Sequence, residues 1–174
     1  MRCFIAVDLP EVIKDKLFNL QKKLSGDAKI KWVAKKNLHL TLKFLGDIAE
    51  KRLEQIKEKL KEIKFKSFKV ELDSLGVFPD EDYIRVIWVG LKPAGKVIEL
   101  QQKVDSTLLG LGFEKDQRFH SHLTLGRVKF VKNKENLKEK LKLKIKGGFE
   151  IKNFKLMKSE LTKDGPVYGT LETY

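Results

Sequence analysis

Asn37-Leu38-His39-Leu40-Thr41-Leu42-Lys43-Phe44-Leu45-Gly46 alternates apolar and polar residues through its first half. That is the period-two pattern of a half-buried strand, with Leu38, Leu40 and Leu42 facing a core and His39 and Thr41 sharing the opposite face. An imidazole and a hydroxyl fixed side by side on a strand can hold a phosphate and move a proton. The four central letters return as His122-Leu123-Thr124-Leu125, 83 residues further on, about half of the 174-residue chain. One His-x-Thr carries little information, whereas two copies with identical leucines carry a good deal. Their spacing predicts two similar lobes related by a pseudo-twofold axis, each giving one motif strand to a central cleft and anchoring its leucines in a core of its own.

The elements read outward from this stretch. Residues 2–7 form a short apolar strand, and Pro10 opens a helix whose stripe is Val12, Ile13, Leu17, Leu20 and Leu24, ended by Ser25-Gly26. Lys29–Trp32 is a brief strand before the motif strand at 38–45. Asp47 and Glu50 have capping-box spacing ahead of a helix on Leu53, Ile56, Leu60 and Ile63. A strand from Phe68 to Leu72 runs towards Gly76-Val77-Phe78-Pro79, and Tyr83–Val89 is another, rich in β-branched and aromatic residues. Residues 95–109 give a third helix, closed by Gly110 and Gly112; the second motif strand covers 121–131, and Glu135–Leu141 a short helix. Strands near 147–157 and 167–173 finish the chain around the turn Lys163-Asp164-Gly165-Pro166. No Pro/Ser-rich linker divides the halves, so residues 1–174 read as one bilobed domain.

Composition narrows the class. With 41% hydrophobic and 35% charged residues the chain is globular rather than disordered. The formal charge of +13 comes mainly from lysine, since arginine stands only at 2, 52, 85, 118 and 127. Such an excess favours a polyanionic partner, although Lys/Glu-rich surfaces are also a thermophile habit. Cys3 is the single cysteine, inside an apolar run, which rules out an internal disulfide or a thiolate cluster. No apolar stretch approaches the roughly 20 residues that span a bilayer, and Asp8 and Pro10 interrupt any signal-peptide pattern. The expectation is a cytoplasmic protein, without a membrane partner and monomeric.

Two histidines facing one cleft can divide acid–base labour. A neutral imidazole takes a proton from attacking water, and a protonated one gives a proton to the departing alkoxide. In-line displacement at phosphorus needs these groups on opposite sides of the phosphate. Thr41 and Thr124 can donate to its non-bridging oxygens. Arg127, five residues after His122, falls on the opposite strand face by alternation and reaches the phosphate only if the strand bends at Gly126. This equipment suits a phosphodiester whose leaving group is a ribose hydroxyl, a 2′,3′-cyclic phosphate in particular, with no metal or cofactor.

Each piece also has a plainer reading. A single strand histidine is more often structural, and the duplication is what outweighs that here. A His39/His120/His122 metal triad lacks a carboxylate or fourth ligand at a telling spacing, which leaves His120 as a rim residue. Lys129–Lys146 is either a solvated face or a rim that touches RNA. Trp32, Phe44, Phe78, Tyr83 and Trp88 can stack on a base, though packing accounts for most of them. A non-catalytic RNA-end-binding module and a small-molecule cyclic nucleotide phosphodiesterase remain the alternatives.

The paired His-Leu-Thr-Leu motifs resemble the signature of the two-histidine (2H) phosphoesterases. Within that superfamily the chain resembles the RNA 2′,3′-cyclic phosphodiesterase family, also called 2′-5′ RNA ligases or LigT-like proteins. The likeness extends through residues 1–7, 38–46, Gly76-Val77-Phe78-Pro79, Val86-Ile87-Trp88-Val89-Gly90, 122–127 and Gly165-Pro166-Val167-Tyr168. It implies an α+β, bilobed fold with two pseudo-symmetric lobes, antiparallel sheets around a central cleft and helices outside. It further implies metal-independent hydrolysis of cyclic-phosphate RNA ends, tRNA halves among them, to 2′-phosphomonoesters, or reversible 2′-5′ ligation. By motif, His39 is the proton donor, His122 the proton acceptor, and Thr41 and Thr124 hold the phosphate. Which histidine is acid and which base comes from the resemblance alone. Ser121 departs from the proline that many members carry before the second histidine.

Overall fold

In the computed structural model, which describes residues 1–174, β1 (Arg2–Asp8) pairs antiparallel with β3 (His39–Asp47). The helix between them, α1 (Glu11–Leu24), starts after Pro10, whose carbonyl accepts from the Ile13 and Lys14 N–H groups. The second half repeats the pattern: β5 (Ile84–Lys92), α3 (Ala94–Leu109) and β6 (His122–Val131), with β5 and β6 antiparallel. The remaining elements are β2 (Ala28–Trp32), α2 (Glu50–Leu60), β4 (Phe68–Pro79), α4 (Lys134–Lys140), β7 (Gly148–Ile151), β8 (Lys155–Thr162) and β9 (Gly165–Thr173).

The strands form one curled sheet in the order β7-β4-β5-β6-β3-β1-β8-β9, with β2 against β6. Read from its middle this order is a palindrome, because β6-β5-β4-β7 mirrors β3-β1-β8-β9. The halves meet at a single paired position, Leu40 opposite Leu123. These residues are 83 apart, the same interval as the two histidines. A twofold that exchanges antiparallel strands passes between paired residues, so the pseudo-axis runs through the motif. The two sheets expected from the sequence are therefore halves of one, joined where the motif leucines touch. The cores are likewise joined: one cluster of 36 buried residues includes Leu40, Leu42, Leu123 and Leu125.

The helices cross over between the halves. Gln21 on α1 donates its amide to the Leu125 and Val33 carbonyls at 2.9 Å each, which pins α1 behind β6. Asp105 on α3 takes the ammonium of Lys43 from β3, a hydrogen bond from Gln101 Nε2 (2.7 Å) and one from the Asp116 N–H (2.8 Å). Each motif strand is thus braced from behind by the helix of the other half.

Three local expectations are corrected. Asp47 does not cap α2: it ends β3, paired with Arg2, and the cap position is Ala49 without a side-chain bond. Phe68–Pro79 is one bent strand rather than a strand and a separate approach. The predicted strand at 147–157 is two, because β7 pairs with β4 in one half and β8 with β1 in the other. Between them Phe154 is buried and exchanges both backbone hydrogen bonds with Tyr174. No helix is long and apolar enough to cross a membrane.

Candidate active site

Around the Leu40–Leu123 contact, antiparallel register sets His39 opposite Thr124 and Thr41 opposite His122. Positions diagonal to one another on a regular ladder lie roughly 7–8 Å apart. Here β3 and β6 pair at that one position only. The charge of His122 is still felt at His39.

The two imidazoles are anchored alike. His39 Nδ1 lies 2.6 Å from the Asn37 carbonyl and His122 Nδ1 2.7 Å from the His120 carbonyl. A carbonyl only accepts, so each Nδ1 carries a hydrogen and each neutral ring exposes an unprotonated Nε2. The Nε2 of His39 accepts from the Thr41 hydroxyl at 2.7 Å. That of His122 has no protein hydrogen-bond partner.

Their surroundings differ. His39 packs on Phe4 (centroids 5.1 Å) and edge-on against Tyr168 (5.4 Å). Asn37 ties the group together: its carbonyl holds His39 while its side-chain amide donates to the Pro166 carbonyl at 2.7 Å, two residues before Tyr168. Asp8, the strand partner of His39, is bridged by Lys14 at 2.9 Å and Lys155 at 3.2 Å. Burial would raise its carboxyl, but the Lys14 and Lys155 bonds win and hold it below the usual range. A pocket of about 290 Å³ opens beside His39, lined in part by Phe4, Asp8, Lys14, Lys36, Lys155 and Tyr168.

His122 stands on Phe78 (5.1 Å) and Trp88 (6.0 Å), with His120 tilted against Trp88 at 4.6 Å. Gly76 makes room for this cluster, since a Cβ there would fall 2.2 Å from the Trp88 ring. His120 is exposed and stands at the rim of this cluster, beside Trp88 and His122. No three His, Cys, Asp or Glu side chains converge closely enough to hold a metal ion. Ser121, at the departure from the family pattern, is buried with its hydroxyl unpartnered.

Burial lowers both histidines below the ordinary value. At His39 the Asn37 carbonyl and the Asp8 carboxylate work against burial, favouring the imidazolium, while Lys14 and His122 add to it. At His122 the His120 carbonyl works against burial, and the charges of His120 and Arg127 reinforce it.

Arg127 stands on the histidine face, contrary to simple alternation. The β5–β6 register slips between Ile87–Gly126 and Trp88–Thr124, so Leu125 and Gly126 are both buried and the next residue turns to the cleft. The β1–β3 pair slips at the equivalent place, between Ile5–Lys43 and Ala6–Thr41, burying Leu42 and Lys43 together. This places Phe44, 83 residues before Arg127, at the corresponding cleft position with 70% of its surface exposed. Of the other aromatics, Tyr83 is exposed under Arg85, while Phe78 and Trp88 sit beneath His122. Sequence reasoning singled out the histidines and threonines but passed over Asp8, Asn37 and the packing role of Tyr168. The available signal was Asp8, the carboxylate that ends the apolar run Cys3–Val7 of the first strand.

Comparison with known proteins agrees with this arrangement. The chain matches the profile of the family described as LigT like Phosphoesterase twice, over residues 7–88 and 89–168, as an internal repeat would. It is 41% identical to the RNA 2′,3′-cyclic phosphodiesterase of Methanocaldococcus jannaschii over the full length of both chains. It is 40% identical to the protein of the same name from Archaeoglobus fulgidus, covering 100% of this chain and 99% of that one. Among solved structures, Escherichia coli LigT complexed with 3′-AMP superposes with a TM-score of 0.81 at 26% identity, covering 99% of this chain and 96% of that one. A Thermus thermophilus protein gives 0.83 at 28%, covering 100% and 97%. With the duplicated motif, the palindromic sheet and these relatives in agreement, the chain belongs to the LigT-like phosphoesterase family.

Proposed function

We propose that this protein hydrolyses RNA 2′,3′-cyclic phosphate ends to 2′-phosphomonoesters, without a metal, by acid–base catalysis between His39 and His122. The observation that carries the reading is the pair of imidazoles anchored through Nδ1 to backbone carbonyls, which leaves Nε2 as the proton-transfer atom of each, on either side of the Leu40–Leu123 contact. The same substrate class appears in the names of the relatives in Methanocaldococcus jannaschii and Archaeoglobus fulgidus. Residues 1–174 act together, since the site draws on both halves.

His122 is the base. Burial, with the charges of His120 and Arg127, favours its neutral ring, so Nε2 removes a proton from water as the water oxygen bonds to phosphorus. His39 is assigned as the acid by its motif: burial lowers its imidazole, the Asn37 carbonyl and the Asp8 carboxylate work against that, and an arriving phosphate anion favours the imidazolium. As the bond from phosphorus to the 3′ oxygen breaks, His39 Nε2–H gives its proton to that oxygen, leaving a free 3′ hydroxyl and a 2′-phosphomonoester. Thr41, which in the free protein donates to His39 Nε2, turns with Thr124 to the non-bridging oxygens, and Arg127 offsets their charge. With the 5′ hydroxyl of a second RNA in place of water, the same displacement, reversible because the diester is retained, joins RNA ends, such as tRNA halves, through a 2′-5′ linkage.

The test is turnover of a defined RNA ending in a 2′,3′-cyclic phosphate, in chelator, with the product identified. Release of a 2′-phosphate end supports the reading. Binding without product would make the protein an RNA-end-binding module, and preference for a free cyclic mononucleotide would move its substrate to small molecules.

A further inference from the structure

The sheet carries a charged surface that this chemistry does not use. β2 pairs only with β6 and forms an outer edge beyond the catalytic centre. Lys31 lies opposite Arg127 and Lys29 opposite Phe130, while Ile30 pairs with Val128 on the core side. Lys129, the extra residue where the β2–β6 register slips, is also exposed. Neither Ala28–Trp32 nor His122–Val131 contains a carboxylate. None of Lys29, Lys31, Arg127 and Lys129 makes an ion pair, unlike Lys57, Lys61 and Lys142, which are matched by Glu54, Glu58 and Glu139. Among these unmatched cations stands Phe130, 53% exposed.

Lysines on an edge strand also deter edge-to-edge pairing. That accounts for Lys29 and Lys31. It does not account for an exposed phenylalanine beside them, nor for cations on β6, which is an interior strand. Cations that track a backbone, interspersed with an aromatic face, are what a single-stranded nucleic acid needs. The surface is continuous with the reaction centre through Arg127, whose charge acts on His122 and Tyr168.

We propose that the open face of β2 and the outer half of β6 carries the RNA strand upstream of the reacting end, with phosphates on Lys29, Lys31 and Lys129 and a base on Phe130. This rests on the RNA-end reading above and extends it from the reacting phosphate to several nucleotides behind it.

The experiment compares a ten-nucleotide RNA and a dinucleotide, both ending in a 2′,3′-cyclic phosphate, over a range of salt. The proteins are the parent, Lys29→Gln/Lys31→Gln, Phe130→Ala, and Lys22→Gln/Lys23→Gln, which removes equal charge from α1 on the helix side of the sheet. Each single-strand phosphate contact contributes about 0.7 to the logarithmic salt slope, so the Lys29/Lys31 variant should flatten the decanucleotide slope by about 1.4. Its kcat/KM on the decanucleotide at low salt should fall roughly tenfold, with turnover of the dinucleotide at the parental rate. Phe130→Ala should weaken the decanucleotide roughly fivefold or more at every salt concentration, as loss of one stacked base does. The α1 variant should move neither substrate by more than about twofold.

Equal losses on both substrates, no loss on either, or the same loss in the α1 variant would overturn the track. Decanucleotide binding measured alongside keeps this separate from the functional reading. A parent that binds with the predicted slopes but turns over nothing sinks the hydrolase and leaves the track standing.

Discussion

His39 and His122 occupy equivalent positions in the two halves and have come to sit in unlike surroundings. The shared frame is the strand pair, the helix that crosses behind it, and the carbonyl two residues upstream that fixes each ring. What differs is the charge and the cover. His39 has an acidic strand partner, Asp8, and its Nε2 is held by Thr41; His122 has Arg127 on its face and an Nε2 without a protein partner. In the proposed mechanism the frame delivers two proton-transfer groups to one phosphate, and the divergence lets one act as acid while the other acts as base.

Removing either ring should give the largest effect. His39→Ala and His122→Ala are each expected to lower kcat by about 10²–10⁴-fold, with folding intact by circular dichroism. If one were dispensable, the two-site reading would collapse to a single catalytic residue.

The braces behind the strands come next, and they contrast in the same way. Asp105 and Gln21 both sit on crossing helices against a motif strand, but one holds a charge and the other two carbonyls. Lys43→Met strands a buried carboxylate and should cost about 3–5 kcal/mol in urea unfolding. Gln21→Leu removes the amide donor from the Val33 and Leu125 carbonyls, of which Leu125 keeps the Val33 N–H, and should cost about 1–3 kcal/mol. Equal costs would mean that charge adds nothing to the brace.

A smaller effect distinguishes the beds under the rings. Gly76→Ala must displace the Trp88 ring and thereby tilt His122 alone. We expect a loss of about tenfold in kcat, with the pH dependence assigned to His39 unchanged.

The smallest effect is on stability against pH. Both histidines are lowered on folding, mainly by burial, so the unfolded chain binds more protons once the pH drops below the ordinary histidine value near 6.5. Stability is fully present above that value and declines as the pH falls through the window beneath it. His39→Asn should flatten the decline, and an unchanged slope would show that its burial carries no such penalty.

Much of this was legible in the chain. The period-two run at 38–42 and its echo at 122–125 located both histidines, both threonines and the half-chain repeat, because alternation reports a half-buried strand directly. The helix stripes were legible for the same reason, and Val12 alone among those named is exposed. The two register slips were not, since nothing in Leu42-Lys43 announces an extra residue and Gly126 is only a hint in Leu125-Gly126. They decide whether Arg127 and Phe44 reach the cleft. Asp47 and Glu50 have the spacing of a cap, yet pairing of Asp47 with Arg2 prevails over the local signal. The break at Lys152–Phe154 has no glycine or proline to mark it, because long-range pairing sends β7 and β8 to opposite halves.

The central claim, that the halves diverged into an acid and a base, is tested most directly by changing the leaving group. A cyclic-phosphate RNA with sulfur in place of the 3′ bridging oxygen departs without needing a proton, so general-acid help loses its value. On that substrate His39→Ala should recover to within about tenfold of the parent, while His122→Ala stays as impaired as on the natural linkage. Recovery by His122→Ala instead, or by neither variant, would contradict the assignment.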